Sequence, residues 1–166
     1  MVIIRRATLA DDLAAAGRVV QHAYRALPGY PADDEYDTML ADVAGRMHDG
    51  EVIIAVDGDT VAGCLTFVPG PGVGHFEFDD HEATSFRYFG VAAGSQRSGV
   101  GEAMVRWCID ETRRLGKPKL RIHTIGVMVG AIRLYERMGF VRTPEADFDY
   151  DGIIGLAYLY DLRQTV

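Results

Sequence analysis

The chain has 166 residues, 48% hydrophobic and 25% charged, a size and balance that suit one compact soluble domain and exclude a disordered chain. Seventeen basic against 24 acidic residues give a net charge of −7, which argues against a protein built to neutralise nucleic-acid phosphates and is compatible with a cationic substrate. No apolar run approaches the ~20 residues of a membrane span, so neither nucleic acid nor membrane is an expected partner.

The N-terminal "MVIIRRATLADDLAAA" puts two arginines after a short apolar run, the wrong order for a secretory signal, and the expected location is the cytoplasm. Within it, Val2–Arg6 is short and β-branched and predicts a first strand. Thr8 is placed to cap the helix of "LADDLAAAGRVVQHAY", with Asp11 and Asp12 in its first turn. "LPGYP" then breaks the chain, and "ADDEYDTMLADVAGRMHDG" predicts a second helix ending at Gly50, with Met39, Val43 and Met47 on one face.

"EVIIAV", Asp57-Gly58 and "TVAGCLTFV" form a hairpin signal. Gly70–Gly74 ends that strand, an acidic loop with two histidines follows, and Ser85–Val91 restores strand character. From Gly99 onward, Val100, Ala103, Met104, Trp107, Cys108 and Leu115 recur at helical spacing, and Gly116 stops the helix. "KLRIHT" predicts a strand, "VGAIRLYERMG" a helix with Ala131, Leu134, Tyr135 and Met138 on one side, and "FVRT" and "IIGLAYLYDL" two closing strands. The last of these offers either an edge for a second copy, and so a homodimer, or an ordinary final strand. Cys64 and Cys108, without zinc-ligand spacing, read as reduced, buried thiols, and no metal site is expected.

The order β-α-α-β-β-β-α-β-α-β-β predicts one domain over residues 1–166. Its class is α/β (α+β mixed), a central mixed, mostly antiparallel sheet of about seven strands with helices on both faces. The strand, helix, strand crossover around residues 91–101 should be right-handed, with ligands gathering at the strand's carboxyl end.

That crossover carries "GSQRSGVGEAM", Gly94 to Met104. Backbone N–H groups at a helix start lack partners and the helix dipole adds positive charge, so a loop of small residues there suits a phosphate. A Walker A loop fails because Val100-Gly101 stands where Lys-Ser/Thr is needed, and a dinucleotide fingerprint fails at Met104. What fits is Gln96-x-x-Gly99-x-Gly101 between strand and helix, joined about 30 residues on by "AIRLYERMGF", Ala131 to Phe140. Together these resemble the two signature motifs of the GNAT superfamily of N-acetyltransferases, clearest over Phe86–Arg142 and matched by element order elsewhere.

The resemblance implies the GNAT fold, acetyl-CoA (coenzyme A) as acyl donor, and transfer to a primary amine of a small molecule or protein by direct attack in a ternary complex. It implies cofactor contacts from Phe89, Gly90 and Val91 at the strand end, from Gln96, Arg97, Ser98, Gly99, Val100, Gly101 and Glu102 around the pyrophosphate, and from Met128 and Tyr135. Met128 stands where one common version of the second motif has Asn. The resemblance assigns the oxyanion donor to a backbone N–H at a bulged strand end, here Val91, and the proton donor for the departing thiolate to Tyr135. Tyr135 also lies on an apolar helix face, where a tyrosine serves packing.

An alkylamine is mostly protonated at neutral pH, so a proton must leave before attack. Several relatives place Glu directly before the Phe-Arg segment, where this chain has Ser85. Glu82 is the candidate base, with His81, Glu77 and His75 nearby and His123 on the next strand, alternating with Ile122 and open to a solvent-facing reading. A base acting through water is the alternative. Tyr24, Tyr30 and Tyr36, around the "LPGYP" break, are the candidate acceptor-binding residues. The rival reading is a noncatalytic acyl-CoA-binding sensory or regulatory module on the same fold.

Overall fold

The computed structural model describes residues 1–30 and 33–164, so Pro31 of "LPGYP" and the expected start of the second helix at Ala32 lie outside the described residues. The strands are β1 (Val2–Arg6), β2 (Glu51–Asp57), β3 (Thr60–Val68), β4 (Ala83–Val91), β5 (Lys119–Thr124), β6 (Val141–Arg142), β7 (Phe148–Tyr150) and β8 (Ile153–Asp161). The helices are α1 (Leu13–Arg25), α2 (Asp34–Ala41), α3 (Val43–Arg46), α4 (Val100–Arg114) and α5 (Val129–Met138).

The strands form one eight-stranded sheet in the order β1-β2-β3-β4-β5-β8-β6, with β7 also on β8. Among the described residues only β4 and β5 pair in parallel, and only through Ala83↔Lys119 and Thr84↔Leu120, after which the two strands part. The sheet is therefore two antiparallel halves joined at one end and open at the other. Helices cover both faces. Residues of α4 and α5, such as Met104, Cys108 and Tyr135, pack with Ile53, Leu65 and Phe86 on one side. Residues of α1, α2 and α3, such as Val20, Leu40 and Val43, pack with Ile54, Cys64 and Tyr88 on the other.

Several local expectations change. Thr8 does not cap α1: Asp12 does, accepting the Ala15 N–H at 2.9 Å, while Asp11 takes a bidentate pair from Arg5 at 2.7 and 2.9 Å. The expected second helix is two, broken at Asp42 (φ −84°, ψ 69°), whose carboxylate caps α3 through the Gly45 N–H at 2.9 Å. The buried Arg46 closes the break by donating to the carbonyls of Met39 (2.6 Å) and Leu40 (2.8 Å). Asp57 pairs with Thr60, so the hairpin turn is Gly58-Asp59, with Gly58 at φ +61°.

The apolar face of α4 runs through Val100, Met104, Val105, Cys108, Ile109 and Thr112, whereas Ala103 and Leu115 are exposed. The closing strand is no edge, since β8 is bonded to β5, β6 and β7. Both cysteines are free and buried, and burial pushes the Cys64 thiol up to about 12.

Candidate active site

The opening between the sheet halves follows from an irregularity in β4. Cys64 faces Gly90 and Thr66 faces Arg87, so Leu65 alone stands opposite Tyr88 and Phe89. Tyr88 absorbs the extra residue at φ +55°, the left-handed backbone of a β-bulge. Beyond it Gly90 and Val91 pair with Cys64 and Gly63, and the Ala92 N–H donates to Ala62 O at 2.8 Å. Strand alternation then directs the N–H groups of Phe89 and Val91 away from β3, into the gap where β5 has left. The bulge therefore lies three residues before Val91, and both donors face the gap.

Below the gap the chain turns through residues Ala93–Ser95 into α4. Arg97 (φ +65°) and Gly99 (φ +86°) adopt left-handed conformations in quick succession, and Gly99 is the N-cap of α4 without a side-chain cap. The first helical bond there runs from the Ala103 N–H to Gly99 O at 3.0 Å, leaving the Val100, Gly101 and Glu102 N–H groups free for an anion. At Gly101 a Cβ would lie 3.5–3.7 Å from Leu134, Phe89 and Val91, narrowing the passage between β4 and α5. These residues fit a pyrophosphate-bearing cofactor.

The loop's side chains brace it. Gln96 Nε2 donates to Val91 O at 3.3 Å and Ser98 Oγ donates to Ser95 O, while the exposed Glu102 pairs with Arg106 at 3.4 Å. Gly90 has a different task from the expected one: a Cβ there would meet Val20 Cα at 2.9 Å, so it admits α1 against the sheet.

The gap opens into a cavity of about 540 Å³. Tyr24, Tyr30 and Tyr36 all line it, with Tyr24 edge-on to Tyr30 at 5.6 Å and tilted to Tyr36 at 6.4 Å. Phe89, Met128 and Tyr135 also line it. Tyr135 is 4% exposed and packs on Phe86 and Phe140 at 6.0 and 5.5 Å, so it serves the core and the site together. Among the described residues the one sealed side-chain polar atom without a partner is Thr143 Oγ1, so the Tyr135 hydroxyl opens on the cavity its ring lines. Burial, then Cys108, raises the Tyr135 pKa, keeping the phenol protonated at neutral pH.

Glu82 is not in the cavity. Its side chain is 61% exposed beside Arg163 at 4.0 Å, and it precedes β4 by one residue, about 20 Å along the strand from the bulge. His81 is exposed and Ser85 is buried.

The acidic and basic side chains of the cavity wall are instead Asp33, Glu77, Arg87 and His123. Asp33 caps α2 through the Tyr36 N–H at 3.0 Å. Glu77 Oε1 lies 3.2 Å from His123 Nδ1 and 3.4 Å from Arg87 Nε. His123, with a 6% exposed side chain, does not face solvent: Nε2 donates to Ala146 O at 2.8 Å and the ring stacks on Phe78 at 4.2 Å. Arg87 was not singled out from sequence, because no spacing rule ties a strand residue to a loop ten positions earlier. His75 Nδ1 meets the Tyr88 hydroxyl at 3.0 Å, behind the bulge.

A sheet parted beside a bulge, with a glycine-capped helix start below and a buried tyrosine above, forms a cleft with an anion-binding helix start at its edge. The chain belongs to the acetyltransferase (GNAT) family, whose match covers residues 18–140. Among solved structures, a GNAT-family acetyltransferase from Desulfovibrio desulfuricans is similar with a TM-score of 0.77 at 21% identity, covering 98% of this chain and 99% of that one. An acetyltransferase from Salmonella typhimurium, described with its cofactor acetyl-CoA, is similar at 0.69 and 23% identity, covering 99% and 96%. A GNAT-family acetyltransferase from Elizabethkingia anophelis with acetyl-CoA bound is similar at 0.66 and 19%, covering 97% and 98%. No curated protein matches the chain significantly.

Proposed function

We propose that this chain is a cytoplasmic N-acetyltransferase that uses acetyl-CoA to acetylate a primary amine of a small molecule or protein, by direct attack within a ternary complex. The observation that carries this reading is the meeting, at one opening in the sheet, of two outward strand N–H groups, a buried tyrosine and an aromatic cavity. Acetyl-CoA, when bound, supplies the acyl group as a thioester. The free N–H groups of Val100, Gly101 and Glu102 would hold its pyrophosphate, in a loop braced by Gln96 and Ser98.

The N–H groups of Phe89 and Val91 would donate to the thioester carbonyl oxygen as it gains negative charge, and one such donor is worth ~3 kcal/mol. Phe89 borders the cavity, so it shares the role first assigned to Val91. Tyr135 would give a proton or hydrogen bond to the departing sulfur, its phenol being the protonated form at neutral pH. Tyr24, Tyr30 and Tyr36 enclose the amine. The ammonium proton would pass, through water, to the Glu77 carboxylate beside His123 on the cavity wall, from which Glu82 is absent.

The test is CoA release over an amine panel with wild type and Tyr135→Phe. The variant should keep its melting temperature and acetyl-CoA affinity while kcat falls about 100-fold. Unchanged turnover removes Tyr135 from the chemistry. Calorimetric binding of acetyl-CoA without amine-dependent release by the wild type would instead establish the noncatalytic acyl-CoA-binding module, a reading that buried Ser85 in place of a glutamate favours.

A further inference from the structure

Arg87 is the arginine of the cavity wall, and its guanidinium is poorly satisfied by the protein. Nε stands 3.4 Å from Glu77 Oε1, Nη1 stands 3.4 Å from His75 O, and the group lies over the Tyr88 ring at 4.6 Å. Satisfied arginines of the same fold look different. Arg142 grips Asp147 through two bonds of 2.7 and 2.8 Å, and Arg5 grips Asp11 at 2.7 and 2.9 Å. Glu77 Oε1 is shared, since it also faces His123 Nδ1 at 3.2 Å. A guanidinium carries five donors in a planar fork that matches a carboxylate. Arg87 brings that fork, with a side chain only 25% exposed, to the edge of a cavity walled largely by aromatic rings.

The charge reaches its immediate neighbours. At Tyr36 and Tyr88 burial raises the phenol, and Arg87 is the largest opposing influence. The His75 imidazole is held below its ordinary value by burial first and Arg87 second.

We propose that Arg87 binds an anionic group of the acceptor, so that the acceptor is an amino acid, a primary amine with a carboxylate on the adjacent carbon and an apolar side chain. The inference rests on the acetyl-transfer reading above. Arg87 and Phe89 flank Tyr88 on β4 and both line the cavity, so a carboxylate held at Arg87 and an amine presented toward Phe89 stand on the same wall. Tyr24, Tyr30, Tyr36 and Phe148 offer apolar surface to the side chain and the cavity, at about 540 Å³, has room for it.

The experiment uses matched trios: L-leucine, L-leucinamide as the mimic of a peptide N-terminus, and 3-methylbutylamine, then the corresponding phenylalanine set. Each is assayed for acetyl-CoA-dependent CoA release by wild type, Arg87→Gln and Arg87→Lys. Wild type should favour the amino acid over its amide and amine by about 100-fold in kcat/KM. Arg87→Gln should collapse that ratio toward one, chiefly through KM, and Arg87→Lys should fall between. The proposal is overturned if amide or amine equals the amino acid in wild type, or if Arg87→Gln lowers all three by one factor, as a merely structural arginine would.

If no amine releases CoA, the acetyl-transfer reading fails, and calorimetric titration of L-leucine and L-leucinamide decides the inference separately. Leucine heat lost in Arg87→Gln supports it, and absence of leucine binding to the wild type overturns it. Thermal melts verify folding, and Arg87→Lys carries the comparison should the glutamine variant be unfolded.

Discussion

Tyr88 holds a left-handed backbone at φ +55° inside a strand, which costs a non-glycine residue of order 1 kcal/mol or more. Its surroundings enforce the conformation: Arg46 lies over the ring at 4.7 Å, Arg87 at 4.6 Å, and His75 meets the hydroxyl at 3.0 Å. Tyr88→Phe, which keeps the ring and removes only the hydroxyl, should lower stability by about 1 kcal/mol in urea; no loss would make the His75 contact incidental. A second prediction concerns the thiols. Burial raises both cysteines, so an aromatic disulfide reagent at pH 8 should leave native Cys64 and Cys108 unmodified and titrate both in guanidinium. At this scale the sequence made Tyr135 and the Gly99–Gly101 helix start legible, because each sits in a motif whose spacing fixes its place. Glu77, Arg87 and His123 meet only through a loop and two separated strands, and nothing in their spacing reveals that. Glu82 lies outside the cavity for the converse reason: nearness in sequence to β4 says nothing about which end of the strand opens on it.

Among the elements, α1 governs how tightly the sheet can be covered. It crosses β4 at Gly90, where a Cβ would lie 2.9 Å from Val20 Cα and 3.1 Å from Val19 O, and meets α2 at Gly17, where a Cβ would lie 2.1 Å from Ala41 O. Neither contact can yield, since the opposing atoms are mostly backbone. Gly90→Ala should destabilise by about 1–3 kcal/mol, the usual range for overpacking, read as a lower urea midpoint with unchanged slope. A neutral result would mean that α1 slides freely. The element order was legible because period-two and helical patterns alternate cleanly along the chain. The break at Asp42 was not, since Met39, Val43 and Met47 keep one apolar face through it and all join the α1-side core. The face of α4 shifted toward Val105, Ile109 and Thr112 for a related reason: Thr112 is buried because its hydroxyl bonds Thr84 at 2.6 Å and Cys108 O at 2.7 Å, a partnership invisible to hydrophobic periodicity.

Across the whole molecule, the site exists because the sheet halves touch at one end only, so whatever fastens that end holds the opening. Beside the two β4–β5 residue pairs, Asp80 supplies the fastening, accepting from Arg121 at 2.7 Å, Lys119 at 3.0 Å and the Glu82 N–H at 3.0 Å. Burial opposes its ionisation, but the bonds from Arg121, Lys119 and the Glu82 amide outweigh it and hold the carboxyl below its ordinary range. Asp147, held to about 2 by Arg142 first and the Ala157 N–H second, fastens the outer half in the same way. Each folded-state value is depressed, so each contribution is complete above the unfolded value near ~4 and is lost as pH falls through the folded one. Thermal melts of the wild type should therefore hold level near neutrality and drop steeply between about pH 4 and pH 2. Asp80→Asn should be about 2 kcal/mol less stable at pH 7, the scale of hydrogen bonds to a charged group, and should show a shallower acid drop because one of the titrating groups is gone. Asp57, whose side chain is 59% exposed, gives the surface control, and Asp57→Asn should track the wild type throughout. Equal stability of Asp80→Asn and wild type at pH 7 would mean that the parallel pairs alone hold the halves together.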